Sequence, residues 1–190
     1  MFKKKKVLVA CEFSGTVRDA FLVRGHDAVS CDILPTESPG PHIVGDVTRL
    51  LAEPFDLVIA HPPCTYLANS GVRWLHSQPG RWELMLDAAR FFRLFLDASA
   101  PHIAVENPVM HGHAKIRRPD FTVQPWQFGH GEVKRTCFWT KNLPPLEPTN
   151  NVAGRVARVH TTPPGPDRWK SRSVTYKGIA EAIAEQWGSV

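Results

Sequence analysis

At 190 residues the chain has room for one domain with a real core, and not for two of ordinary size. The 43% hydrophobic content is that of a globular protein, and no apolar run approaches the ~20 residues needed to cross a bilayer, which excludes a membrane span. Lys and Arg number 23 against 18 Asp and Glu, a net charge of +5 that leans toward a polyanionic partner; four cysteines without a Cys-x-x-Cys pair suggest neither a zinc site nor a disulfide framework, and fit a reducing cytoplasm.

In chain order, the opening "MFKKKKVLVA" reads as a basic arm, Lys3 to Lys6, leading into a strand. Its apolar run ends at Glu12 after about five residues, short of the roughly 7–15 of a secretory signal. "KVLVACEF" is the first expected strand, and "TVRDAFLVRG" a helix that Gly25 ends. "DAVSCDI" is a second strand. "RLLAEPFDLVIAHPPC" gives a short helical turn broken near Pro54 and then another strand; "RWELMLDAARFFRLFLDAS" is the strongest amphipathic helix, and the strand "HIAVENP" follows it. Strands alternating with helices predict an α/β fold with a doubly wound, mostly parallel sheet. From about Asn142 to Ser173 the chain is rich in Pro, Gly and polar residues, which predicts an irregular segment before a final helix in "YKGIAEAIAEQWG". Basic residues cluster in the arm, in "KIRRP", in "EVKRT" and in "RWKSR", a set that suits phosphate contacts.

The strand ends carry the candidate chemistry. In a doubly wound sheet ligands bind beyond the carboxyl ends of parallel strands, which would gather Glu12, Phe13, Ser14, Gly15, Pro63, Cys64, Glu106 and Asn107 on one edge. Cys64 stands behind Pro62-Pro63, where a stiff backbone can aim a thiol. Asp32 ends the second strand, where an acid reaches ribose hydroxyls, and Asp46 follows the short apolar stretch of "HIVGDVTRL"; together they suggest a nucleoside-containing cofactor. Each residue also has an ordinary structural reading: a small buried cysteine, Asp residues in turns or caps, a Glu-Asn-Pro that closes a strand. The ordered set is what points to a site. "HGH" at His111 to His113 lacks further ligands, so no metal is expected.

These motifs resemble the cytosine-C5 DNA methyltransferases, and among them the short phage-type members. Phe13-Ser14-Gly15, Asp32, Gly45-Asp46-Val47, "PPCTYLANSG", "VENP", "FGHGEVKRTCFW" and "VTYKGIAEAIAEQW" are similar to that family's motifs in the family's order, across nearly the whole chain. The resemblance implies a Rossmann-like sheet of the S-adenosylmethionine-dependent methyltransferase type with a reduced recognition segment. It implies S-adenosylmethionine, leaving as S-adenosylhomocysteine, held by Glu12, Phe13, Ser14, Gly15, Asp32, Ile33, Asp46, Val47 and Pro62. Catalysis falls to Cys64, Glu106 and Asn107, with Lys134 or Arg135 in place of the family's arginines. Glu106 is expected to have a pKa raised by burial, to supply a proton to N3 of a flipped cytosine. Three departures stand out: Val17 and Arg18 replace the glycines after Phe-x-Gly, "EVKRT" stands where the family has Gln-x-Arg-x-Arg, and no large recognition domain fits. Segment 142–173 would replace that domain, contacting double-stranded DNA through Arg155, Arg158, Arg168, Lys170 and Arg172 at a short site, before 174–190 returns to the core. A monomer in the cytoplasm of a bacterial or phage-infected host is implied. Two alternatives stay open: an amino-methyltransferase on adenine N6 or cytosine N4, whose Asp/Asn-Pro-Pro-aromatic motif would meet His61 and Cys64 here, and a non-catalytic nucleic-acid-binding module on the same fold.

Overall fold

Apolar strands flanked by glycine and proline punctuation assemble into a seven-stranded sheet. The computed structural model describes residues 3–163, 165–166 and 168–190. In chain order the elements are β1 (Lys6–Ala10), α1 (Thr16–Val23), β2 (Asp27–Asp32), β3 (His42–Val44), β4 (Leu57–Ala60), α2 (Arg81–Leu96), β5 (His102–Asn107), β6 (Phe121–Val123), β7 (Thr136–Lys141), α3 (Arg158–Thr161), α4 (Arg168–Ser173) and α5 (Lys177–Gly188). The spatial order is β3-β2-β1-β4-β5-β7-β6. β1 to β5 run parallel, whereas β7 is antiparallel to both β5 and β6.

Alternate residues of each strand feed opposite cores, which is why the central strands are apolar throughout. Leu8, Val58, Ile103 and Val105 pack with Met85, Ala89, Phe92 and Phe95 of α2 on one face. Val7, Val9, Leu57 and Ile59 pack with Val17 and Phe21 of α1 and with Ile183 and Trp187 of α5 on the other. The doubly wound expectation therefore holds, and the arrangement leaves the carboxyl ends of β1, β4 and β5 side by side.

Two expectations change. β1 stops at Ala10, three residues before the expected end at Phe13, because Cys11 takes a left-handed φ of 57° and turns the chain toward α1. The segment from Asn142 to Ser173 is irregular over most of its described length, with two short helices and two isolated bridges that its composition does not signal. It runs along the core with parallel bridges at Phe128–Asn150 and Glu132–Val156, and it forms the short helices α3 and α4. Pro164 and Asp167 of that segment, the side chains of His160 and Ser171, and Met1 and Phe2 of the arm lie outside the described residues. β6, which among the described residues pairs only with β7, has no clear signal in its three residues. Among the described residues no helix is long and apolar enough to cross a membrane.

Candidate active site

On the β1–β3 side, local hydrogen bonding sets the geometry. Glu12 is buried at 4% exposure, and its carboxylate accepts from the backbone N–H of Val17 (2.6 Å) and Arg18 (3.2 Å) in the first turn of α1. It therefore satisfies donors that a helix start leaves unpaired. Burial nonetheless holds its carboxyl above the usual range, with the charge of His61 and these bonds opposing. Gly15 precedes the helix at φ 74°, a conformation that suits glycine. Ser14 Oγ accepts from Thr16 N–H and donates to Glu12.

Arg18, one of the residues replacing the expected glycines, is fully buried. Its guanidinium donates to Ser30 Oγ (3.2 Å), Thr36 Oγ1 (3.3 Å) and the carbonyl of Ser38 (3.0 Å), with Asp19 alongside at 2.8 Å. A Cβ at Gly15 or Gly40 would lie 2.4 or 2.8 Å from that group. Arg18 thus ties the loop after β2 to α1, and the two glycines make room for it.

Asp32 Oδ1 accepts from Leu34 N–H at 3.0 Å. Asp46 accepts from the N–H (3.0 Å) and hydroxyl (2.8 Å) of Thr48, which lower its pKa. Burial, then Asp32, Cys31 and Asp46, push the Cys11 thiol up, so both acids act on one point at the sheet edge. Val47 is buried, Ile33 is 78% exposed, and Phe13 is buried with Trp169 of α4 at 5.7 Å between ring centres.

On the β4–β5 side, contacts distant in sequence do the positioning. His61 extends β4 by donating its N–H to Ala10 (2.9 Å), and the chain then enters buried Pro62, Pro63 and exposed Cys64. The Cys64 carbonyl accepts from Leu67 (3.0 Å) and Ala68 (2.8 Å), which closes a turn. Asn107, 1% exposed, donates its side-chain amide to the Pro62 carbonyl at 2.7 Å and fixes the Pro-Pro backbone to β5. Glu106 Oε2 lies 3.2 Å from His61 Nδ1, with the two side chains 15% and 9% exposed.

Lys134 Nζ donates to the carbonyls of Arg172 (2.9 Å) and Val174 (3.4 Å). Its charge acts on both Glu106 and Cys64, whereas Arg135 is exposed and acts on Cys137. Burial and the Glu106 charge push the Cys64 thiol up; Lys134 and Arg172 oppose them. Burial also pushes Glu106 up, but the hydrogen bond and charge of His61, with Lys134, outweigh it and leave the carboxyl below its ordinary range. The expected rise of Glu106 is thus reversed, because a histidine unnoticed as a partner sits against it.

The five basic residues of segment 142–173 do not form one face. Arg155 donates to the carbonyls of Val152 and Gly154 and stacks over Trp126 at 3.9 Å. Arg158 pairs with Glu132 at 3.4 Å, Arg168 Nε donates to Thr162 (2.9 Å), and Lys170 pairs with Glu37 beside the Phe13 ring. Arg172 turns inward: its Nε is buried without a hydrogen-bond partner, and its charge reaches Cys64. His61 was the residue sequence reasoning passed over as a site member; its position before Pro-Pro-Cys, on a strand beside the one ending in Glu106, is the signal that could have found it. Among the described residues no group of three His, Cys, Asp or Glu could hold a metal.

No family model matches the chain, and no curated protein does. Solved structures do. One is an E. coli prophage-encoded protein provisionally assigned as a DNA modification methyltransferase, at TM-score 0.50 and 16% identity over 83% of this chain and 55% of that one. The fold is Rossmann-like, of the methyltransferase type. Another is the Entamoeba histolytica methyltransferase EhMeth, at TM-score 0.47 and 16% identity over 79% of this chain and 58% of that one. The chain thus spans little more than half the length of these structures.

Proposed function

We propose that this chain is a DNA methyltransferase acting at C5 of cytosine. The observation that carries the reading is Cys64, set behind a proline-stiffened, Asn107-pinned backbone, with its thiol within electrostatic reach of Glu106, Lys134 and Arg172. The neighbouring structure described as a DNA modification methyltransferase supports DNA as substrate, and the net charge of +5 agrees.

Cytosine C5 is a poor nucleophile until charge is pushed into it. The Cys64 thiolate would bond C6; the C5=C6 pair then moves to C4=C5, and the C4=N3 pair becomes a lone pair on N3 that takes a proton offered by Glu106. Lys134 and Arg172 lower the cost of the thiolate and place positive charge beside the anionic adduct. Removal of the C5 proton by a base restores C5=C6, expels the thiolate and returns the N3 proton. Asn107 keeps Pro62 and hence Cys64 in register with Glu106 throughout.

S-adenosylmethionine, when bound, supplies the methyl group that C5 accepts. The edge beyond β1–β3 fits it: the carboxylates of Asp32 and Asp46 offer acceptors for ribose hydroxyls and an adenine amine, and Phe13 and Val47 are apolar. Glu12 contributes by holding the α1 start in place. Expression in a methylation-free host followed by base-resolution sequencing tests the proposal. Modified cytosine at a short consensus is the expected result, and methylated adenine or N4-methylated cytosine would overturn it.

A further inference from the structure

Three titratable side chains stand on adjacent strand ends: Glu12 after β1, His61 after β4 and Glu106 on β5. His61 is held between them. Its Nδ1 meets Glu106 Oε2 at 3.2 Å, its charge acts on Glu12, and its Nε2 is buried without a hydrogen-bond partner. An ionised carboxylate can only accept, so the Nδ1 of His61 carries the hydrogen that Glu106 Oε2 accepts. From other elements the Lys134 charge also reaches Glu106, and Cys64 lies three residues on from His61.

The geometry points to His61 as the positioning residue and proton store for Glu106, lending through it the proton that N3 of the substrate base takes up. The inference rests on the C5 reading above and explains how a carboxyl that the fold keeps ionised can act as an acid. In the resting pair the proton is on His61 Nδ1. As the Cys64–C6 bond forms and charge reaches N3, that one proton passes from His61 Nδ1 to Glu106 and on to N3, leaving His61 neutral and Glu106 ionised. On elimination N3 returns its proton to Glu106 and His61 becomes a cation again, so no proton is gained or lost by the pair over a turnover.

Two substitutions separate placement from proton supply. His61→Asn keeps an amide near the Nδ1 position; His61→Gln moves it away; neither carries a titratable proton. The native protein should lose turnover as the pH rises and the His61–Glu106 pair gives up its proton. Both variants should lose that limb and about a hundredfold in turnover, the lower end for a general acid, while binding S-adenosylmethionine as the native protein does by calorimetry. His61→Asn should keep more activity than His61→Gln. Independently of activity, imidazole nitrogen NMR of the native protein should give a His61 midpoint that falls in Glu106→Gln. Variants that are slower yet keep the native pH limb, or a midpoint indifferent to Glu106→Gln, would overturn the inference. A native protein that transfers no methyl to cytosine would instead remove the reading beneath it, and the NMR titration still decides whether the pair exists.

Discussion

The two halves of the sheet edge are built by different means. Beyond β1–β3, carboxylates are set by neighbours two to six residues away: Asp32 by Leu34, Asp46 by Thr48, Glu12 by Val17 and Arg18. Beyond β4 and β5, the contacts that pair side chains span at least 38 positions, Glu106 with His61 and Asn107 with Pro62 (both 45) and Lys134 with Arg172 (38), while Cys64 adds a local turn closed by Leu67 and Ala68. A locally built half keeps its shape wherever the turn forms. The long-range half exists only once the sheet has closed, so substitutions there act on chemistry through geometry and charge.

The sharpest break of this contrast is Cys64→Ser. It should cut methyl transfer by more than about 10³-fold, as loss of a nucleophile does, and leave S-adenosylmethionine binding intact. A covalent complex with 5-fluorocytosine DNA on a denaturing gel should disappear with it; persistence would remove Cys64 from the mechanism. Glu106→Gln should follow, with turnover down by about 10²–10⁴, the range for a lost general acid, again without a change in cofactor affinity.

Asp32→Ala should do the reverse. Calorimetry should show S-adenosylmethionine binding weakened by about tenfold, the worth of a charge-assisted hydrogen bond, with folding retained. Unchanged affinity would deny this half its role. A smaller effect separates Arg172 from the other basic residues of its segment. Because its charge lowers the Cys64 pKa, Arg172→Met should raise it and slow alkylation of Cys64 by iodoacetamide at pH 8 a few-fold, while Arg155→Met, stacked on Trp126, should not.

The smallest effects lie within the local half and have opposite signs. Asp46 has a depressed pKa, so its contribution to stability is present above its unfolded pKa and is lost as the pH falls through the folded one. Glu12 has a raised pKa, so its contribution is complete below its unfolded pKa and is lost as the pH rises through the folded one. Melting temperatures measured against pH should therefore flatten on the acid side in Asp46→Asn and on the neutral side in Glu12→Gln.

The sequence by itself determined the alternation of strands and helices, the parallel character of the sheet, and which strand ends bear Glu12, Asp32, Asp46, Cys64 and Glu106, since these follow from apolar periodicity and chain punctuation at short range. It could not show that Arg18 would fill the space left by Gly15 and Gly40, because that contact needs β2's loop folded back on α1. Nor could it set the protonation of Glu106. Burial alone argues for a raised pKa; the opposite direction came from His61 and Lys134, brought beside it by the pairing of β4, β5 and β7. The same closure turned Arg172 away from its basic neighbours and toward Cys64. Charge acts through distance in space, and only the tertiary structure decides which residues far apart in the chain come within its reach.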